Sequence, residues 1–109
     1  MRIEIRARNT TVTDRLRAHV EKCFANISKQ VSEQARLDLE VAEEKHRSMV
    51  NARVAEATLH LKGVTLRARE SSMDLQHSVD LVADKLARQV KRHRDKRRGR
   101  REKAAEATP

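Results

Sequence analysis

Apolar residues along this chain follow two periods in turn, and the order of those periods predicts the elements. Ile3, Ile5 and Ala7 alternate with Arg2, Glu4, Arg6 and Arg8, the two-residue period of a half-buried strand. Leu16, Val20, Cys23, Phe24, Ile27 and Val31 then recur at three- and four-residue steps, the apolar stripe of a helix over roughly 13–31. Thr13 suits its N-cap, and Asp14 stands in the first turn, where the helix dipole favours an acid. Three alternating stretches follow: Leu37, Leu39 and Val41; then Ala55, Ala57, Leu59 and Leu61; then Val64, Leu66 and Ala68. Each has a single apolar face. Lys62-Gly63 separates the last two, a short link whose glycine can take positive φ, so those strands should form a hairpin. The polar stretch Glu43–Met49 is expected as a looser loop.

From Met73 the period is helical again, with Leu75, Val79, Val82, Leu86 and Val90 on one face. Ser71 or Ser72 can cap this second helix, and Asp74 is placed for its dipole. Apolar residues stop at Val90 while helix-forming Lys and Arg continue, so the helix should outrun the body of the domain, with Gly99 as its expected end. The predicted order is β-α-β-β-β-α. This is an α+β fold in which two helices cover one face of a four-stranded sheet.

At 109 residues with 38% hydrophobic side chains, the chain can bury one modest core. The domain is expected over residues 1–98, with 99–109 a flexible basic tail or the start of a linker. Cys23 is alone, which excludes an internal disulfide and any multi-cysteine metal site. A lone cysteine and the lack of an export-like apolar run lead us to expect a cytoplasmic protein.

Charge changes this picture most. The net charge of +9 lies in one place: between Lys85 and Lys103 there are eleven Lys or Arg residues against Asp95 and Glu102. The other ninety residues hold fourteen basic and fourteen acidic side chains. A neutral domain with a cationic arm should bind a polyanion, because each phosphate neutralised by Lys or Arg releases condensed counterions. Lys85, Arg88, Arg92 and Lys96 are spaced three, four and four, one side of the second helix. Arg15, Lys22 and Lys29 fall seven apart on the first helix. If the helices are neighbours, the two rows border one groove or ridge. The blander reading makes each row only the solvated face of an amphipathic helix. That reading is weaker for the second helix, where eleven cations repel one another.

The only aromatic, Phe24, falls on the apolar stripe, so base stacking on exposed rings is excluded and recognition must run through phosphates, sugars and shape. That suits structured RNA. Glu43, Glu44 and His46 could serve acid-base chemistry, but Lys45 and Arg47 interleave them as in a solvated turn, and no enzyme is expected. His19 is read as a satisfied core or boundary histidine and Cys23 as buried and inert; no metal and no cofactor is expected. Residues 91–103 lack the apolar face that membrane insertion needs.

Several segments resemble a known family. Asn9, Thr13-Asp14-Arg15-Leu16-Arg17, Ala57-Thr58-Leu59-His60-Leu61-Lys62-Gly63, Met73-Asp74, Val79-Asp80 and above all Asp84-Lys85-Leu86-Ala87-Arg88-Gln89-Val90-Lys91-Arg92-His93-Arg94-Asp95-Lys96 look like the ribosome hibernation promoting factor family. That family includes the ribosome-associated inhibitor also called protein Y, and the resemblance covers about residues 1–98. It implies a fold similar to a double-stranded-RNA-binding domain. It also implies a stress or stationary-phase factor that sits in the small-subunit cleft of mRNA and A- and P-site tRNA, contacts rRNA and inhibits translation. Carried over by position, the rRNA-contacting candidates are Lys22, Lys29, Lys85, Arg88, Gln89, Lys91, Arg92, His93 and Lys96, with Arg15 and Arg17 as further candidates. Long-form members add a C-terminal ribosome-dimerising domain, so the chain is expected to be either a short form or an N-terminal domain, monomeric by itself. The alternative function is a general structured-RNA-binding module acting away from the ribosome.

Overall fold

The computed structural model describes the backbone of residues 1–44 and 52–106 and the side chains of those up to residue 96. The elements run β1 (Arg2–Arg8), α1 (Asp14–Gln30), β2 (Arg36–Glu44), β3 (Ala52–Leu61), β4 (Val64–Ser72) and α2 (Leu75–Glu106). The strands form one mixed sheet in the order β1-β2-β3-β4. β1 and β2 are parallel, β2 and β3 antiparallel, β3 and β4 antiparallel. Parallel neighbours need a crossover, and α1 supplies it. The predicted α+β class and element order are both present.

Register puts the alternating apolar positions of the four strands on one face, while Ala42, Ala52 and Val54 follow the opposite parity near the β2–β3 end of the sheet and are buried as well. Ile3, Ile5 and Ala7 lie opposite Leu37, Leu39 and Val41. These in turn lie opposite Leu59, Ala57 and Ala55, and Leu59 and Ala57 lie opposite Leu66 and Ala68. A slip of one residue would turn each set toward water, so burial itself fixes the pairing. The stripes of both helices close over this face: Val20, Phe24 and Ile27 from α1, and Val79, Val82 and Leu86 from α2, are all at most 1% exposed.

Local chemistry sets the ends of the elements. Thr13 Oγ1 accepts a hydrogen bond from the Leu16 amide at 3.1 Å, the expected N-cap. On α2 the cap differs from expectation. Asp74 Oδ1 accepts from the Gln76 amide at 3.3 Å, while Ser72 Oγ accepts from the Asp74 amide at 3.2 Å and so shapes the turn before the helix. Gly63, at φ 79°, makes the β3–β4 hairpin turn as predicted. Asn9 takes φ 57° where β1 ends, a conformation asparagine tolerates better than most residues. The loop expected over Glu43–Met49 is shorter at its start, because β2 continues through Glu44; its remainder lies outside the described residues.

α2 also corrects an expectation. Helical backbone passes Gly99 and continues to Glu106, so residues 99–106 extend the helix. One glycine costs about 1 kcal/mol in a helix, and the Lys, Arg, Ala and Glu around it favour helix enough to carry the backbone through. The buried face of α2 ends at Val90, which is 3% exposed. The remaining 16 residues to Glu106 therefore reach about 24 Å beyond the core at 1.5 Å per residue.

Candidate nucleic-acid interface

Beyond its buried stripe, α2 offers cations on its other sides, and their surroundings divide them. Lys85 Nζ pairs with Glu70 Oε1 of β4 at 3.0 Å. One turn on, the Gln89 side-chain amide donates to the Arg67 carbonyl at 2.6 Å, filling an acceptor on the open edge of β4. Both candidates thus fasten α2 to the sheet edge. Arg88, Lys91, Arg92 and Lys96 are exposed, and among the described residues none of them has an ion-pair partner. His93 is half-buried. On α1, Arg15, Arg17, Lys22 and Lys29 are all exposed.

Lys85 and Gln89 reach toward β4, whereas the flank of α2 that meets α1 carries Asp80, bonded to His19, and Arg94, which donates to Gln30 Oε1 at 3.4 Å. Arg88, Arg92 and Lys96, spaced four apart along α2, form an exposed ridge, and α1 carries its own exposed cations.

The outer sheet face is charged too, and much of it is paired, although Arg6, Glu56 and Arg67 have no ion-pair partner among the described residues. Arg8 meets Glu44 at 2.9 Å and Arg69 meets the same carboxylate at 3.3 Å, while Asp38 accepts from His60 at 3.0 Å and lies 3.5 Å from Arg36. Glu43, the other acid of the suspected acid-base cluster, pairs with Arg53 at 3.2 Å. Glu43 and Glu44 are thus held in ion pairs, and His46 lies outside the described residues.

Sequence reasoning missed one constellation. His19 and Cys23, four apart on α1, meet Asp80 of α2: His19 Nε2 is 2.7 Å and Cys23 Sγ 3.1 Å from Asp80 Oδ1. Burial pushes the Cys23 thiol up to about 12, and its hydrogen bond to the Asp80 carboxylate adds to the rise. The same bond holds the Asp80 carboxyl below its usual range, with His19 helping and partial burial opposing. His19 is a satisfied boundary histidine as expected, and Cys23 is inert as a nucleophile but half-buried rather than buried. The i, i+4 spacing of His19 and Cys23 was visible in the sequence. Their partner, more than fifty residues away, was not.

A four-stranded mixed sheet with two helices on one face and a projecting basic helix defines a small α+β domain built to display cations. Residues 3–98 match the family described as Sigma 54 modulation protein / S30EA ribosomal protein, and the chain belongs to that family. It is 30% identical over 114 residues to the ribosome hibernation promotion factor of Picosynechococcus sp., covering all of this chain and 59% of that protein. It is 35% identical over 98 residues to the factor of the same name from Lactococcus lactis subsp. cremoris, covering 86% of this chain and 50% of that one. The chain thus spans about half the length of these relatives. The Thermus thermophilus protein Y N-terminal domain superposes with a TM-score of 0.72 at 28% identity, over 85% of this chain and 99% of that domain. A ribosomal subunit interface protein from Coxiella burnetii shares the fold, with a TM-score of 0.74 at 21% identity over 87% of this chain and 99% of that one. Among the described residues, no helix is long and apolar enough to cross a membrane.

Proposed function

We propose that this domain is the ribosome-binding part of a hibernation factor: it occupies the mRNA and A- and P-site tRNA channel of the small subunit and inhibits translation by occlusion, without catalysis. One observation carries the reading: Arg88, Lys91, Arg92 and Lys96 form an exposed ridge of cations with no ion-pair partner among the described residues. Such a ridge gains most from a phosphate backbone, whose condensed counterions it releases. The names of the relatives point to the ribosome, and its rRNA is the polyanion this reading gives the ridge. Lys22 and Lys29 on α1 contribute a second contact surface, with Arg15 and Arg17 nearer its margin. His93 flanks the ridge, and Lys85 and Gln89 act mainly by holding α2 against β4. The domain works in the cytoplasm as a monomer.

The test is sucrose-gradient co-sedimentation of the purified chain with empty ribosomes, then with ribosomes preloaded with mRNA and initiator tRNA. Stoichiometric binding that preloading abolishes is the expected result. Absence from the ribosome peaks, with affinity kept for free duplex RNA, would replace this reading with that of a general structured-RNA-binding module.

A further inference from the structure

We propose that His19, Cys23 and Asp80 form a site for one zinc-class divalent cation that staples α1 to α2. The three donor atoms already converge: His19 Nε2 to Asp80 Oδ1 is 2.7 Å, Cys23 Sγ to Asp80 Oδ1 is 3.1 Å, and Cys23 Sγ to His19 Nε2 is 3.4 Å. The point equidistant from the corners of this triangle lies about 1.8 Å from each, so an ion about 1 Å out of its plane is about 2 Å from all three, close to zinc–ligand lengths. Sulfur needs about 0.3 Å more, which a small side-chain rotation provides.

The backbone beneath these groups is held. Val20 and Phe24, next to His19 and Cys23, and Val79, next to Asp80, are each 0% exposed, so the core fixes all three attachment points. His19 and Cys23 share a helix face at i, i+4, and Asp80 approaches from the other helix. At present two hydrogens aimed at Asp80 Oδ1, from the thiol and the imidazole, hold the cluster together. A dication takes their place: the thiol proton passes to water, the imidazole proton relocates to Nδ1, and Nε2, thiolate and carboxylate become ligands.

The donor set selects the metal. One nitrogen, one sulfur and one oxygen suit zinc or cobalt and disfavour magnesium and calcium, which want oxygen alone. The Asp80 side chain is 48% exposed, which leaves an entry route and room for a water in the fourth position. Around the site, Asp84 adds negative charge while Lys22 and His77 add or can add positive charge, so the local field is nearly balanced rather than repulsive. The inference departs from the expectation of no metal, and it is independent of any ribosome contact.

The test titrates the full chain, stripped of metal with a chelator, with Co(II). Cys23 is the only cysteine, so a near-ultraviolet thiolate-to-cobalt charge-transfer band reports this site alone. The expected result is a band that saturates at one ion per chain, is displaced by Zn(II) but not by excess Mg(II), and disappears in Cys23→Ser. His19→Gln and Asp80→Asn, checked for folding by circular dichroism, should each weaken Co(II) binding by at least about tenfold. Should these variants fail to fold, the decision passes to the native chain, where Zn(II) must raise the thermal midpoint at one ion per chain. No charge-transfer band, one ion shared by two chains, or a band unchanged in both folded variants would overturn the proposal.

Discussion

The outer face of the sheet and the distal half of α2 are both densely charged, and they use charge in opposite ways. On the sheet, Arg8 and Arg69 share Glu44, and Arg36 and His60 share Asp38, so most charge is answered within the domain. On α2, Arg88, Lys91, Arg92 and Lys96 have no ion-pair partner among the described residues, and the sequence from Lys85 to Lys103 holds eleven cations against two acids. Charged composition alone does not mark an interface. A dense run of like charge left without intramolecular partners does, because its self-repulsion is relieved by an external anion.

The largest effect should come from reversing the unpaired charges. Arg88→Glu, Arg92→Glu and Lys96→Glu together should weaken ribosome binding by about a hundredfold or more at physiological salt, the counterion-release contribution of three phosphate contacts. Circular dichroism should be unchanged. Reversing Arg8 and Arg69 on the sheet should alter binding by less than about threefold, since they compensate carboxylates rather than face solvent unpaired. Equal losses on the two surfaces would erase the distinction between them.

A core substitution separates the helix as a carrier of charge from the helix as a packed element. Leu86 is fully buried, so Leu86→Ala should cost about 2–5 kcal/mol in urea unfolding. Ribosome affinity should fall only in proportion to the unfolded fraction. A loss well beyond that fraction would mean that the exact seating of α2 also matters for contact.

Smaller effects belong to the sheet. Gly63→Ala should destabilise by about 1–2 kcal/mol from its positive φ alone, because nothing lies within 4 Å of the added Cβ. Glu44→Gln, which removes the shared partner of Arg8 and Arg69, should cost less than about 1 kcal/mol and leave binding unchanged, since all three side chains are partly exposed. A large binding gain from Glu44→Gln would show that freed sheet arginines can join the interface.

Much of the fold was legible because burial and periodicity say the same thing. Leu37, Leu39 and Val41 alternate in sequence and face the core in the sheet, and Leu16, Val20, Phe24 and Ile27 repeat with the helix and are buried. The parallel pairing of β1 with β2 was not legible, since alternation carries no strand direction. The end of α2 was misjudged because one glycine weighs less than the helix formers around it. Among the candidate site residues, spacing located the basic rows but could not reveal that Glu70 and the Arg67 carbonyl already engage Lys85 and Gln89. Those contacts, like the meeting of His19 and Cys23 with Asp80, depend on elements distant in sequence.

Contact between the exposed ridge of α2 and RNA phosphates is read from the salt dependence of ribosome binding. Affinity would be measured across a range of salt for the native chain and for the variant carrying Arg88→Glu, Arg92→Glu and Lys96→Glu. For the native chain log affinity should fall steeply and linearly with log salt, and for the variant the slope should be shallower by about 2 to 3, near 0.9 for each lost phosphate contact. Parallel lines of equal slope would show that these residues do not contact phosphate.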